Sequence, residues 1–223
     1  MTVHFGCIFD MDGTLLDSMG VWYKVDLDFF AKRGIDMPSD YASTVVAMPF
    51  EKIAHYTVER FHLPDAPEEV MAEWNTMAAF AYTHTVKPKP HAVDYVRYLH
   101  AHGVKLAIAT SLPPSLRDPA LAHAGILDCF DALCSTSDVA RGKQHGDIYE
   151  LAASKIGVET SRCVVFEDIL SGISAAKSVG MRVWGVFDES SRGQWPQILD
   201  IADSAVIDFR DAPGIEIMEK ITA

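Results

Sequence analysis

Residues 5–13 read FGCIFDMDG, an apolar run that ends at two aspartates and a glycine. The same form recurs twice, since VKLAIATS at 104–111 and CVVFED at 163–168 are also short apolar runs that end in polar residues. Runs of this length without polar interruption are typical of strands buried on both faces of a sheet. Each stretch therefore predicts a buried strand that leads directly into a polar cluster.

Helical patterns follow the second and third of these strands, at 115–124 and at 171–179, where Gly180 closes the second helix. Further apolar runs at 131–135 and 182–187 continue the alternation of strand and helix. This repetition predicts an α/β fold in which helices cover both faces of a parallel sheet. Because the carboxyl ends of parallel strands meet at one edge, we expect the polar clusters to converge there.

One segment, 18–86, interrupts the alternation. It contains three stretches with apolar residues at three- and four-residue spacing, which predict amphipathic helices: 24–34, 50–61 and 67–84. The predicted domains are an α/β core formed by residues 1–17 and 87–223 and a small helical insertion formed by residues 18–86.

Charge and composition exclude several classes of function. Of the 223 residues 49% are apolar and 22% are charged, and the net charge of −12 argues against nucleic acid or an anionic membrane as a partner. An anionic substrate would need a locally positive pocket or a bound cation. The sequence has no signal-peptide pattern at its start and no apolar run long enough to cross a bilayer. Its four cysteines form no C-x-x-C pair, which predicts reduced thiols in a cytoplasmic protein.

Carboxylates dominate the first and third polar clusters. Asp10 is ionised at neutral pH and can attack phosphorus without a helper base, but it would be repelled by an anionic phosphate. A divalent cation would offset this repulsion, and Mg²⁺ prefers a few carboxylates together with water and phosphate oxygens. Asp10 and Asp168, with Glu167 nearby, supply such a set. Asp12 is placed to act as a general acid and base.

The remaining polar residues offer cationic and hydrogen-bonding groups to a phosphate. Lys143 can offset phosphate charge, and Thr110 and Ser111 provide hydroxyl and backbone N–H donors. Each signal also has a structural explanation, since a Thr-Ser pair is often a helix cap, a lysine is usually a surface charge, and an acidic pair favours a helix N-terminus. Their convergence at one sheet edge favours phosphoryl transfer.

These stretches resemble the motifs of the haloacid dehalogenase-like superfamily. FDMDGTLLDS at 9–18 is similar to its first motif, and IATS at 108–111 is similar to its second. GK at 142–143 with a following aspartate resembles the third, and VVFEDILSGISAAKSVGM at 164–181 resembles the fourth. The resemblance covers a whole Rossmann-like, doubly wound core in the family's order.

The resemblance implies a role for each polar residue of this edge: nucleophile and metal ligand for Asp10, acid/base with a metal-binding backbone carbonyl for Asp12, phosphate binding for Ser111 and Lys143, and Mg²⁺ binding for Asp168 with support from Glu167. The insertion at 18–86 corresponds to the helical cap of the subfamily that contains phosphoglycolate phosphatase and β-phosphoglucomutase. Four apolar or aromatic residues of the insertion are candidates for substrate contact: Trp22, Tyr23, Met48 and Phe50.

Two departures from the family's motifs concern detail. The third motif reads KQHGD at 143–147, which places Gln144 and His145 beside the lysine, and Ile169 follows the acidic pair of the fourth motif. We expect His145 to be structural or solvent-facing, although it could touch a leaving group.

The family that these motifs resemble includes three kinds of activity: dehalogenation, sugar-phosphate mutation and phosphate-ester hydrolysis. Dehalogenases of the family attack carbon without a metal and resemble the first motif only at the nucleophile, so the second aspartate here favours phosphoryl transfer. Sugar-phosphate mutases resemble one another in a cap histidine and a cap arginine, but Trp22 lies near the histidine position and 45–56 contains no arginine. We therefore predict Mg²⁺-dependent hydrolysis of a small phosphate ester, with a mutase or a non-catalytic binding module as alternatives.

Overall fold

The structure is a computed structural model that describes residues 5–45, 48 and 50–222. Residues 1–4, 46, 47, 49 and 223, which belong to the predicted core and insertion, lie outside the described residues. The chain divides into two compact units, the first formed by residues 1–19 and 86–223 and the second by residues 20–85. Within the described part of the chain, every helix is too short or too polar to cross a membrane.

Eight strands occur in the described residues. They are β1 (Gly6–Phe9), β2 (Leu16–Asp17), β3 (Lys87–Pro88), β4 (Lys105–Thr110), β5 (Ala132–Ser135), β6 (Cys163–Glu167), β7 (Arg182–Val186) and β8 (Ser204–Val206). Six of them form one sheet in the order β5-β4-β1-β6-β7-β8, and every neighbouring pair in it is parallel. β2 and β3 form a separate antiparallel ribbon.

The described residues contain ten α-helices. They are α1 (Val21–Lys32), α2 (Tyr41–Val45), α3 (Phe50–Phe61), α4 (Pro67–His84), α5 (Ala92–Ala101), α6 (Pro114–His123), α7 (Asp147–Lys155), α8 (Leu170–Ser178), α9 (Trp195–Ile201) and α10 (Ile215–Thr222). Short 3-10 helices connect several of them, including one at Lys143–His145.

Alternate residues of the central strands face opposite layers of the first unit. On one face Ile8 and Val165 pack with apolar residues of α7 and α8, such as Ile148 and Ile173. The other face is aromatic, and Phe9 of β1 stacks on Phe166 of β6 with ring centroids 4.8 Å apart. Apolar side chains on both faces explain why these strands read as uninterrupted apolar runs. The predicted fold class, a doubly wound parallel sheet with a helical insertion after the first strand, is confirmed.

The second unit consists of α1 to α4 and has its own aromatic core. Phe29 and Trp74 lie with ring centroids 5.3 Å apart, and Phe30 packs edge-on against Tyr41 at 4.9 Å. The predicted helices at 50–61 and 67–84 match α3 and α4, whereas α1 begins three residues before the predicted 24–34. The short helix α2 was not predicted, because five residues are too few to show a helical period.

Candidate active site

Asp10 is the first residue after β1. Its backbone N–H donates to the Phe166 carbonyl at 3.0 Å, so the pairing of β1 with β6 extends one residue beyond the strand and fixes the direction of the side chain. The carboxylate is 5% exposed and forms an ion pair with the Lys143 ammonium group. The charge-assisted hydrogen bond from Lys143 restricts the orientation of the buried Asp10 carboxylate.

Three buried carboxyl groups meet at this edge of the sheet. One oxygen from each of Asp10, Glu167 and Asp168 lies within 4.8 Å of the other two. The Lys143 ammonium lies 2.7 Å from Oε2 of Glu167, and the hydroxyl of Tyr149 donates to the same oxygen at 3.0 Å. The strand order explains this convergence, because β1 and β6 are neighbours in the sheet.

Burial and neighbouring charges together shift the pKa values of three groups in the cluster, Glu167, Asp168 and Lys143. Burial raises the pKa of Glu167, although Lys143 opposes part of this shift. Burial also raises the pKa of Asp168, and the charges of Glu167 and Asp10 raise it further. Burial acts to lower the pKa of Lys143, but Asp10 and Glu167 raise it well above its ordinary value. Lys143 is therefore charged at neutral pH, and its ammonium group pairs with two of the three carboxyl groups, those of Asp10 and Glu167.

The hydrogen-bond partners of the two Asp168 carboxyl oxygens indicate whether the cluster fits a cation. Its Oδ1 accepts a hydrogen bond from the Thr14 hydroxyl at 3.2 Å. Its Oδ2 is buried and has no hydrogen-bond partner among the residues that the structure describes. A buried carboxylate oxygen in this state is costly unless a ligand satisfies it. Carboxylate oxygens are the ligands that Mg²⁺ prefers, so Asp10, Glu167 and Asp168 fit a divalent cation.

Glu167 is held by a close approach of the backbone of α8. A β-carbon at Gly172 would lie 2.5 Å from Cδ and 2.9 Å from Cγ of Glu167. Any side chain at this position would have to displace the carboxyl group. The absence of a side chain at Gly172 is therefore part of how the fold positions Glu167.

Asp12 lies in a tight turn between β1 and β2. The Met11 carbonyl accepts hydrogen bonds from the N–H groups of both Leu15 and Leu16, each at 2.9 Å. The Ser18 hydroxyl donates to Oδ1 of Asp12 at 2.5 Å. The turn thus orients a half-buried carboxyl group two residues from Asp10.

Of the predicted phosphate-binding residues, Thr110 is the last residue of β4, the other neighbour of β1 in the sheet, and Ser111 follows it. Thr110 is buried, and its hydroxyl oxygen accepts a hydrogen bond from the Leu112 N–H at 3.1 Å. This bond restrains the loop formed by residues 110–112. Ser111 is exposed. Gln144 and His145, which follow Lys143 in the sequence, are also exposed.

The predicted cap residues lie in the second unit or at its loop. Trp22 and Phe50 are in edge-to-face contact, with ring centroids 5.6 Å apart. Tyr23 is exposed, whereas Phe50 and Met48 are half-buried. Met48 donates its N–H to the carbonyl of Val45, the last residue of α2, at 2.8 Å. These four residues remain predictions as substrate contacts.

Thr14 and Tyr149 contact the carboxylates but were not singled out from the sequence. Tyr149 lies on the buried side of α7, where an aromatic residue in an apolar pattern indicates a core position. Thr14 follows the aspartates and Gly13, and nothing in the sequence indicates which distant residue it reaches. The position of Thr14 inside the quoted first motif was the one available signal.

Comparison with known proteins gives a consistent assignment. The family profile described as haloacid dehalogenase-like hydrolase matches residues 6–180. A protein of Drosophila melanogaster named "Probable pseudouridine-5′-phosphatase" is 32% identical over 79% of this chain and 79% of its own. Fructose-1-phosphate phosphatase YqaB of Escherichia coli is 30% identical over 80% of this chain and 94% of its own.

The same fold is found among solved structures. The crystal structure of CbbY from Rhodobacter sphaeroides in complex with phosphate aligns with a TM-score of 0.77 over 98% of this chain and 100% of that chain. The sequences are 21% identical, so this likeness concerns the fold alone. It extends over both the parallel sheet and the helical insertion.

Proposed function

Because the chain belongs to the haloacid dehalogenase-like hydrolase family, we propose that it hydrolyses a small organic phosphate monoester, with Mg²⁺ as cofactor and a phosphate ester on Asp10 as intermediate. The family and the enzyme class, a phosphoric monoester hydrolase, were predicted from the motifs and are confirmed by the comparisons. The observation that carries the finer proposal is the buried cluster of Asp10, Glu167 and Asp168 around Lys143.

Asp10 and Asp12 carry the two chemical steps. In the first step a carboxylate oxygen of Asp10 forms a bond to phosphorus, the ester P–O bond breaks, and protonated Asp12 gives its proton to the departing oxygen. In the second step Asp12 takes a proton from water as the water oxygen bonds to phosphorus. The bond between phosphorus and Asp10 then breaks, and inorganic phosphate and the free carboxylate are released.

Charge on the transferred group is offset by residues already fixed in the fold. Lys143 forms an ion pair with Asp10 and lies beside the position where phosphate charge would accumulate. Ser111, an exposed residue that follows the neighbouring strand, would offer its hydroxyl and N–H to the phosphate. Mg²⁺, held by Asp10, Glu167, Asp168 and the Asp12 carbonyl, would supply Lewis-acid stabilisation of the phosphate oxygens.

The substrate is proposed to be a phosphorylated sugar or a metabolite that contains one. The names of the relatives from E. coli and D. melanogaster both specify such compounds as the substrates of those proteins. We further propose that the helical insertion at 18–86 acts as the cap and selects the substrate through Trp22, Tyr23, Met48 and Phe50. The net charge of −12 supports a small-molecule substrate over nucleic acid or a membrane.

A cytoplasmic location is also proposed, on the basis of four free cysteines, three of them buried. Fractionation of the native host cells would test it, and recovery in a secreted or membrane fraction would contradict it.

The test measures release of phosphate from p-nitrophenyl phosphate and from a panel of sugar phosphates. It uses the wild-type protein with Mg²⁺, with EDTA and with Mg²⁺ restored, beside an Asp10→Asn variant. Asp200→Asn serves as the matched control, because Asp200 is exposed on α9 and is not one of the clustered carboxyl groups. We expect turnover that is lost in EDTA, returns with Mg²⁺, and falls by at least about a thousandfold in Asp10→Asn, as for loss of a catalytic nucleophile.

A second readout separates the cofactor from the reaction. Mg²⁺ should raise the unfolding temperature of the wild type, because a ligand that binds only the folded state stabilises it, and should not do so in Asp168→Asn. Isomerisation of a sugar phosphate that depends on a bisphosphate activator would favour the mutase alternative. Absence of turnover in folded protein would favour the binding module.

A further inference from the structure

Arg117 is a buried arginine in the first unit, outside the carboxylate cluster. It lies in α6, the helix that follows the 110–112 loop, and is 6% exposed. Its Nε donates to Oδ1 of Asp118 at 2.7 Å, and its Nη1 donates to the hydroxyl of Ser135 at 2.8 Å. An arginine side chain is seldom buried unless its guanidinium group is paired.

Ser135 connects Arg117 to the loop. It is the last residue of β5 and is aligned with Thr110 of β4 in the sheet. Its hydroxyl donates to the Leu112 carbonyl at 2.7 Å, and the Leu112 N–H donates to the Thr110 hydroxyl oxygen at 3.1 Å. A hydroxyl has only one proton to donate. Because Arg117 occupies an acceptor site of Ser135, that proton is directed to Leu112.

The hydrogen bonds from Arg117 to Ser135, from Ser135 to Leu112 and from Leu112 to Thr110 form a relay. This relay restrains the backbone that follows the exposed Ser111. Leu112 is bound through its carbonyl to β5 and through its N–H to Thr110. Ser111 precedes Leu112 in the chain, so the peptide plane that joins Ser111 to Leu112 is restrained by the bond from the Leu112 N–H. A loop whose donors are held in place before an anion arrives binds that anion more tightly than one that must first be ordered.

We propose that Arg117 is a positioning residue that holds the 110–112 loop in its phosphate-binding conformation through Ser135. The inference rests on the proposed function, in which this loop binds the phosphate of the substrate. Arg117 acts through other residues and does not itself need to contact the substrate. A purely structural role would instead fasten α6 to β5, so that loss of Arg117 would lower stability and leave phosphate affinity unchanged.

The test compares Arg117→Met and Ser135→Ala with the wild type. Arg97→Met is the matched control, because Arg97 is a hydrogen-bonded arginine at an exposed position of α5, where it donates to the Gly125 carbonyl and not to Ser135. The measurements are kcat and KM for p-nitrophenyl phosphate with Mg²⁺, inhibition by inorganic phosphate, and hydrogen exchange of the Leu112 amide by NMR. Circular dichroism establishes which variants are folded.

We expect both test variants to raise KM and the inhibition constant of phosphate about tenfold while kcat changes less than about threefold, since binding of ground and transition states is weakened alike. The Leu112 amide should exchange at least about tenfold faster, because its loop opens more readily. Arg97→Met should change none of these values. If Arg117→Met does not fold, Ser135→Ala decides alone, because it removes only a hydroxyl.

Failure of the inference and failure of the proposed function give different results. If the wild type releases no phosphate from any compound, the proposed function is wrong, but Leu112 exchange and binding of inorganic phosphate still test the relay. If the wild type is active and folded variants keep its phosphate affinity and Leu112 exchange rate, the inference is overturned. A fall in kcat at unchanged KM would overturn it as well.

Discussion

Gly13 lies directly against Asp168: a β-carbon at residue 13 would come within 2.8 Å of Cγ of Asp168. Gly13 also has a φ of +79°, in the left-handed region that residues with a β-carbon rarely adopt. The turn that follows Asp10 and Asp12 therefore depends on glycine twice, for its backbone conformation and for the room that it leaves to a carboxyl group of another strand end.

Replacing Gly13 with alanine should damage both the fold and the cation site. We expect a loss of about 1–2 kcal/mol of unfolding free energy from the left-handed conformation, and a fall in Mg²⁺ affinity of at least about tenfold from displacement of Asp168. Gly103→Ala is the control, because Gly103 has a φ of +78° and a β-carbon there would meet nothing within 4 Å. Urea unfolding and Mg²⁺ titration of activity give the two quantities. Equal Mg²⁺ affinity in the two variants would contradict the prediction.

Tyr149→Phe should weaken metal binding without disturbing the core. The change removes the hydrogen bond to Oε2 of Glu167 and leaves the buried ring in place. Groups that orient metal ligands typically affect metal affinity by 10–100-fold, so we expect the Mg²⁺ concentration for half-maximal activity to rise about tenfold. Tyr95→Phe is the control, because the buried Tyr95 hydroxyl donates to the Pro213 carbonyl instead. A similar rise in both variants would show that the effect is not specific to Glu167.

Lys89 and Asp188 form an ion pair between the chain that follows β3 and the chain that follows β7. The two side chains are 14% and 5% exposed, and the Lys89 ammonium also donates to the Phe187 carbonyl at 3.1 Å. We expect Lys89→Met to cost about 2–4 kcal/mol, because it leaves a buried carboxylate without its cation. Lys105→Met, which breaks a more exposed pair with Asp131, should cost no more than about 1 kcal/mol. Equal losses in urea unfolding would contradict this.

The same pair predicts a dependence on pH. Burial acts to raise the pKa of Asp188, but hydrogen bonds from Lys89 and Ser190 lower it below its ordinary value. A carboxyl group with a lowered pKa in the folded state stabilises the fold above its unfolded pKa, and this contribution is lost as the pH falls through the folded pKa. The stability difference between wild type and Lys89→Met should therefore be full at neutral pH and shrink below about pH 4.

The strands and helices that were predictable are those whose burial produces a recognisable pattern of apolar residues in the sequence. The central strands were found because both of their faces are buried, and α3 and α4 were found because they are long and amphipathic. The ribbon of β2 and β3 was not found, because two-residue strands have no period. α2 was missed for the same reason.

The site residues that lie at the ends of strands were predictable from the sequence. Asp10, Glu167 and Asp168 each follow or end an apolar run, and the parallel sheet brings them together. Tyr149 and Arg117 could not be assigned in this way, because their importance depends on partners 18 residues away in the chain that only packing brings into contact. Sequence identifies the groups that do chemistry more readily than the groups that hold them.

Asp26 is a partly buried carboxyl group on α1 of the helical unit, and burial raises its pKa to about 6. Between the unfolded pKa of about 3.9 and pH 6, the folded state therefore binds a proton that the unfolded state has released. The stability of the helical unit should fall as the pH rises through this range and should not recover above it. Because solvent screens part of the effect, we expect a loss of about 1–2 kcal/mol.

Asp26→Asn should remove this penalty and stabilise the protein by about 1–2 kcal/mol at pH 7.5 while having little effect at pH 4.5, where Asp26 is protonated in the folded state. Asp28→Asn is the control on the same helix, because Asp28 is exposed and pairs with Lys24 on the surface, where such pairs contribute little. Urea unfolding followed by tryptophan fluorescence at both pH values gives the comparison, since Trp22 and Trp74 belong to this unit. Stabilisation of equal size at both pH values would show that Asp26 acts through packing or hydrogen bonding and not through its charge.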